Sequence, residues 1–513
     1  MEMETFWRSA AKVLGAAALM GLLSDLLLRE GPWGLNAALW SAAFAMLLWQ
    51  LSRDPGTEMP PGRRWCIPLI AVFGALLAWR DAPVLKLLDI LAMFALCATL
   101  ILRPAVDSVL KSGFGHYLTA CVDGGVGIVL GLPSMLTLDV PKQVREVRAG
   151  IDASQTQALT RLVLSTFGGV AIAIPLILVF GSLFTSADTA FRDWVNDLFR
   201  LDWQTLFEHL LVAGFSAWTV AGFLHVAILK RRVAWSPEAA YQGARLDTLT
   251  ILIPLGALIV LFGAFIAVQT SYFFGGAATV QAETGPSYAE YARQGFFQLV
   301  TVAALALGVL LLADWFGRDA SPRGRHMLHA FTVTLVALVF VVMASALHRM
   351  ALYTSVYGLT TLRFYTTAFM FWLAMVLLWF LAVILRGQRE RFLFPAVASA
   401  CACVLVFNAI NPERIIVDVN TSRAKAVDEF DIEYLLTLSN DATPALAELT
   451  GRLPEFERSL LRGPLEQRIG LGASSKHWSY RRLDKGGWRA WSWSRECARR
   501  AVEDLSPTRG SAF

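Results

Sequence analysis

The sequence has little charge. Asp, Glu, Lys and Arg make up only 17% of its 513 residues, where a soluble globular chain carries about 25%. A chain this long and this poor in charge cannot give several water-soluble cores a solvated surface, so an ordinary soluble enzyme is excluded. Metal-ligand spacing such as HExxH is missing too, and neither a metal nor a cofactor is expected. The six cysteines form no framework. Cys66, Cys97, Cys121, Cys401 and Cys403 lie in apolar segments, Cys497 stands alone near the C-terminus, and Cys401-Ala-Cys403 has the wrong spacing for a CxxC motif. They read as small buried hydrophobes. The net charge is +5 without a sustained basic stripe, which argues against a nucleic-acid partner.

What the chain does have is long apolar runs, which recur along nearly its whole length and stop near residue 410. The hydrophobic fraction is 56% and the mean hydropathy +0.52. One helical crossing of a bilayer needs about 20 apolar residues, and this sequence supplies such runs repeatedly: 10–28, 33–51, 65–79, 84–102, 159–184, 204–229, 248–270, 296–316, 326–348, 362–385 and 392–410. The first run contains Asp25 and lacks a small-residue cleavage site, so it reads as a spanning helix and not a signal peptide.

Lys and Arg in short loops set the orientation. Lys230-Arg231-Arg232, the arginines from Arg318 to Arg325 and those from Arg386 to Arg391 alternate with poorly basic loops, which puts these three on the cytoplasmic side. Segments 271–295 and 349–361 then face outward. Gly113–Leu136 is apolar, but it carries Asp123-Gly124-Gly125 and is basic on both flanks. It reads as a re-entrant or interfacial hairpin buried in protein. The fold class is therefore all-α, a polytopic transmembrane helix bundle of about eleven spans, with twelve as the alternative. Residues 1–410 form the bundle, and 411–513 form a soluble, helical, extracytoplasmic domain. The N-terminus is then cytoplasmic.

The tail opens at Asn411-Pro412, a turn signal. Apolar residues at Val427, Phe430, Leu435 and Leu438 follow a helical period over 424–438. Thr443-Pro444 looks like an N-cap followed by proline at the first helical position, and further helices are expected near 454–469 and 488–505. The tail is polarised: residues 411–457 carry a balance of −6 and residues 458–513 one of +7. Either the two halves attract, or the second half sits on anionic headgroups.

Charged side chains inside spans are costly and hence candidate functional groups. Asp89, Arg161, Glu208, His209 and His225 are of this kind, with interhelical hydrogen bonding or snorkelling as the plainer reading. Helical rise puts Glu208 and His225 about 25 Å apart, too far for one site. The most structured polar constellation is the outer turn HRMALYTSVYGLTTLRFY. Arg349, Tyr353 and Tyr357 are spaced by four and share a helix face. Gly358 can end that helix and Thr361 can cap the next. Arg363 would then sit in a first turn, against the macrodipole, and would need a negative partner. With Arg293, which follows the capping box Ser287–Glu290, these residues form a candidate site for an anionic lipid or small anion. An aromatic belt with snorkelling arginines is the plainer reading.

YARQGFFQL, RMALYTSVYGLTTLR, NPERIIVDVN, FDIEYLLTLSNDATPAL and GWRAWSWSRECARRA resemble the bacterial multi-pass membrane proteins grouped as domain-of-unknown-function family 4173, with its relative 4153. The resemblance covers about residues 285 to 505, and the first 280 residues match only in hydrophobic character. It implies a bacterial inner-membrane protein and transfers no catalytic residue. Three functions compete. The first is a non-enzymatic envelope scaffold or sensing protein whose outward tail docks another envelope protein. The second is a carrier or lipid-handling protein that binds an anionic headgroup. The third, a transferase acting on lipid-linked substrates, ranks last because the first outer loop, 29–33, is so short.

Overall fold

The computed structural model describes residues 2–29, 31–54, 59, 61–101, 121–122, 124–129, 203–229, 247–274, 296–317, 320–423, 431–468 and 487–505. Every regular element among them is helical: α1 (Glu2–Leu28), α2 (Leu35–Leu51), α3 (Cys66–Trp79), α4 (Pro83–Ile101), α5 (Trp203–Leu224), α6 (Thr248–Phe274), α7 (Phe296–Phe316), α8 (Pro322–Tyr357), α9 (Thr361–Leu385), α10 (Leu393–Ile410), and in the tail α11 (Pro412–Arg423), α12 (Ile432–Thr437), α13 (Thr443–Thr450), α14 (Glu455–Arg468) and α15 (Trp493–Glu503). Eight of the described helices are long and apolar enough to cross a membrane, so this is a multi-pass membrane protein. Ten of the eleven segments read from the sequence coincide with described helices. Two of these, α2 and α3, fall short of spanning length. The segment at 159–184, with Arg161, lies outside the described residues. So do Arg293, the capping box at 287–290 and most of 113–136.

The chain folds as two compact units. The first comprises Met1–Arg29, Leu47–Glu58 and Gly124–Ala234. Here α1 packs along α5, and a Cβ at Gly21 would lie 2.4 Å from the Ala213 carbonyl oxygen and 2.8 Å from Ala217 Cβ. Close approach of small residues is how helices associate without a hydrophobic driving force.

The second unit comprises Glu30–Met46, Met59–Asp123 and Trp235–Phe513. Its main core is built by α6 to α10 around Leu335, Val339, Ala346, Met370, Leu373 and Phe380. Ser345 donates to Gln269 Oε1 at 2.9 Å, a buried link between α8 and α6. A second core lies in the tail, where Ile416, Val417, Leu435, Leu446, Leu465 and Val502 close on one another, with Leu359 and Phe364 from the α8–α9 turn packed against them. The tail is thus part of the same unit as these spans.

Helix ends differ in detail from the sequence reading. Helix α11 starts at Pro412, directly after Asn411 in the left-handed region at φ 53°. Thr443 is the first residue of α13 and does not cap it, because its hydroxyl accepts from Arg468 Nη1 at 3.1 Å instead. Thr360, not Thr361, caps α9. The six cysteines are free thiols; Cys66 and Cys401 are buried, and Cys121 is exposed.

Candidate functional site at the junction of spans and tail

The densest polar geometry lies where the tail meets the short turn Arg80–Ala82 between α3 and α4. Trp79 ends α3, Arg80 is extended, and Pro83 opens α4. Asp81 Oδ1 accepts from both Lys86 Nζ and Arg495 Nη2 at 2.6 Å, and Oδ2 accepts from Asn440 Nδ2 at 2.5 Å and Arg495 Nε at 3.2 Å. Burial alone would raise the Asp81 pKa, but the two cations outweigh it and hold the carboxyl below its usual range. Asp441 has no exposed side-chain surface, and its Oδ2 accepts from the backbone N–H groups of Asp81 at 3.0 Å and Ala82 at 2.7 Å. A distant carboxylate thereby satisfies orphan donors at the start of α4, where the helix dipole favours negative charge. Burial pushes the Asp441 carboxyl up, against those two N–H groups and Arg80.

Arg80 turns the other way. Its Nε donates to the Asn408 carbonyl at 2.7 Å and Nη2 to that of Ala409 at 3.4 Å, which places a cation on the C-terminal carbonyls of α10. One layer deeper in the tail, Glu413 is buried and accepts from Ser439 N at 2.8 Å and Ser439 Oγ at 2.6 Å. Burial raises its pKa to about 7. Arg468, also buried, donates to the carbonyls of Leu436 and Ser439. Inside the spans, Asn408 Nδ2 donates to Asp89 Oδ1 at 2.9 Å, and both residues are fully buried.

The turn between α8 and α9 forms the second contact. Gly358 ends α8 at φ 77°, with its N–H on the Thr354 carbonyl. Asn420 then clasps one residue's backbone from both sides: its Oδ1 accepts from Leu359 N at 2.6 Å and its Nδ2 donates to Leu359 O at 2.8 Å. Tyr434 Oη accepts from Thr361 N at 2.7 Å. Arg423 Nη1 reaches the carbonyls of Ser355 at 3.0 Å and Val356 at 2.9 Å. Arg363 donates to the Gly358 carbonyl and lies over the Tyr353 ring, 3.9 Å from its centroid, while Tyr353 and Tyr357 meet edge to face at 5.1 Å. The Gly358 carbonyl and the Tyr353 face are thus the partners of the Arg363 guanidinium. Arg349 is half-buried on α8, the helix of Tyr353 and Tyr357.

Glu208, His209 and His225 fall in the first unit. His209 Nδ1 lies 2.6 Å from Asp25 Oδ2. Arg29 is 3.5 Å from Asp25 and 3.9 Å from Glu208. Four charged or titratable groups on α1, the residue after it and α5 thereby gather in one cluster. His225 is buried and opens a π-helical turn, His225–Leu229. Among the described residues, no cluster of three or more His, Cys, Asp or Glu could hold a metal.

The Arg80–Pro83 turn, the α8–α9 turn and residues 411–449 that clasp them all fall within one matched region. The family described as "Domain of unknown function (DUF4153)" matches residues 67–449. The chain belongs to this family. No curated protein and no solved structure matches the chain. The motifs noted from about 285 onward mark too narrow a stretch, since the DUF4153 match begins at residue 67.

Within the DUF4153 region, α4, α7, α9 and α10 also enclose an apolar crevice of about 650 Å³. Leu88, Leu91, Leu307, Trp372, Ala400 and Phe407 line it, and Tyr365 is its main polar group. The Tyr365 hydroxyl is buried without a hydrogen-bond partner among the described residues, in the neighbourhood of Glu413, Asp441, Asp89 and Arg80.

The sequence reading missed Arg80, Asp81, Lys86, Asn408, Asn440, Asp441 and Arg495 as a set. One signal was present. Arg80-Asp81-Ala82-Pro83 is a charged turn too short to be a loop, and its charges need partners from elsewhere.

Proposed function

We propose that this protein is an envelope scaffold of the bacterial inner membrane: a helix bundle that holds its C-terminal helical tail as a rigid outward platform for another envelope protein. The carrying observation is the buried Asp81–Arg495–Lys86 knot with Asp441 beneath it. It joins the tail to the ends of three helices through groups far apart in sequence. A tail that merely hung from the last span would need none of these bonds. The orientation has support in the geometry of the second unit. The tail contacts the weakly basic turn 358–361, while the basic turn at 386–391 lies at the other end of α9 and pairs Arg389 with Asp314 at 3.1 Å. By the loop-charge rule, the tail end is then extracytoplasmic. Kinship with family 4173, through the motifs between Tyr291 and Ala501, belongs to the same reading.

A phosphatase fused after Phe513 should be active and a cytoplasmic fluorescent reporter there dark; the opposite pair of results sinks the orientation. Photo-crosslinkers at Phe456 and Leu460, both exposed on α14, should capture one defined envelope protein in living cells. That capture should be lost when Arg495 is replaced by Ala. If capture survives release of the tail, the rigid platform is not what the partner reads.

A second reading rests on the crevice. Its apolar walls and the single buried hydroxyl of Tyr365 suit the acyl chain of a lipid, which favours a lipid-handling role. Lipid retained through purification of the native protein, and lost in Ala400→Phe, would support it; equal retention by both would not.

A further inference from the structure

Helices α2 and α3 hold 17 and 14 residues, so at about 1.5 Å per residue they are about 26 and 21 Å long. The hydrocarbon core of a bilayer is about 30 Å thick. Both helices are strongly apolar, and both are shorter than that core is thick. What lies over their ends is the last part of the tail. The carbonyl of Trp491 accepts from Leu35 N, the first residue of α2, at 2.8 Å. A Cβ at Gly34 would meet that same Trp491 oxygen at 2.4 Å and the Ala490 oxygen at 2.9 Å, so only glycine permits the approach. Lys86 links Trp33 O at 2.8 Å to Asp81 at 2.6 Å, and Arg495 closes on Asp81 from the tail. The stretch Trp488–Arg495 is therefore fixed directly upon the ends of α2, α3 and α4.

The side chains that this stretch presents are not those of a water-facing loop. Trp488, Trp491 and Trp493, with Trp33 and Trp79 beside them in the fold, are each between 39% and 59% exposed. Ala498 and Val502 of α15 are buried, and while Arg495 turns inward to Asp81, Arg499 and Arg500 are on the outside. Arg499 and Arg500 hold Glu496 at 2.7 Å each, and Arg489 lies 5.9 Å from the Trp488 ring centroid. Tryptophan with arginine alongside is the composition of the membrane–water interface, where an amphipathic ring sits at headgroup level. The positive balance of residues 458–513 suits anionic lipid.

We propose that Trp488–Trp493 lies in the phospholipid headgroup layer and completes the short helices α2 and α3, so that the end of the tail is a membrane-surface element. The partner is the bilayer itself. The inference holds for either orientation of the tail and stands apart from the scaffold reading. It is tested on the wild-type full chain in phosphatidylcholine–phosphatidylglycerol vesicles containing a phospholipid with a photoreactive headgroup. After irradiation and digestion, adducts should appear on peptides covering 487–495 and be absent from the tail peptide 455–468. Adducts on span-end peptides such as the one containing Trp33, with none on 487–495, overturn the proposal, as does equal labelling of 455–468. Nitroxide labels at Trp488→Cys and Phe456→Cys give a second reading. The label at 488 should be shielded from a water-soluble nickel relaxant and the one at 456 open to it. Equal access would mean that the indoles face water and await a protein instead.

Discussion

The Asp81 carboxylate meets the Arg495 guanidinium at 2.6 Å across 414 positions of sequence. Both side chains are nearly buried, 10% and 12% exposed. The pair is therefore strong only while complete. Removing one partner strands the other charge in a place that water scarcely reaches, at a cost of about 3 kcal/mol or more. Arg495→Ala should release α15, measured as new protease cleavage after residue 487 and a lower unfolding temperature. Asp81→Asn should do worse, because it abandons Lys86 as well. The Asp81 pKa lies below its ordinary value, so its stabilising effect is present above about pH 4 and lost as pH falls through the folded value. Cleavage that is unchanged at neutral pH in both variants would show that the pair is ornamental.

Glu413 titrates in the opposite sense. Its folded pKa of about 7 stands above an ordinary 4.5. The neutral carboxyl is the form the fold prefers, facing Ser439, Asp441 and Arg468. Its contribution is present below pH 4.5 and is lost as pH rises through 7, at most about 3 kcal/mol for that shift. Glu413→Gln should flatten the pH dependence of tail unfolding between 5 and 8 and be the more stable protein at pH 8. A wild-type tail with no pH dependence in that window would contradict this.

Gly358 is required twice over. Its φ of 77° disfavours any side chain, and a Cβ there would sit 2.6 Å from Asn420 Oδ1. Gly358→Ala should cost about 1–3 kcal/mol and loosen the Asn420 clasp on Leu359. Hydrogen exchange across 412–423 should rise in Gly358→Ala and in Asn420→Ala alike. Faster exchange in Asn420→Ala alone would mean that the turn absorbs the added methyl group.

How much of this was legible in the chain depended on the kind of signal. The spans were legible because apolar length is a one-dimensional property: α7, α9 and α10 begin and end within a residue or so of where the hydropathy says. The ends of α8 were harder, since a helix of 36 residues runs past the apolar run on both sides. Gly358 gave away its own cap. The Arg363 partner did not follow from the dipole argument, which demanded a negative group; helix-end carbonyl oxygen and a tyrosine face serve the same need. The junction was hidden because Asp81, Asp441 and Arg495 come from three distant segments, each unremarkable alone. No local period or spacing links them.

Asp89 and Asn408 offer a way to tell a structural polar pair from a working one. Asn408 also donates to Val404 O at 3.0 Å, and Asp89 Oδ2 and Asn408 Oδ1 are left without hydrogen-bond partners among the described residues. Interhelical hydrogen bonds in membranes are worth about 0.6 kcal/mol on average, so the bond itself is a small stabiliser. An orphaned buried carboxyl costs more, about 1–3 kcal/mol. Asn408→Leu alone should therefore destabilise the second unit clearly, and Asp89→Leu with Asn408→Leu together should regain most of the loss. Thermal unfolding of the purified protein in one detergent measures both. Strict additivity of the two single losses would deny the coupling. A double variant as stable as wild type that nevertheless fails to support growth, where the wild type does, would show that Asp89 is kept for what it does and not for what it holds.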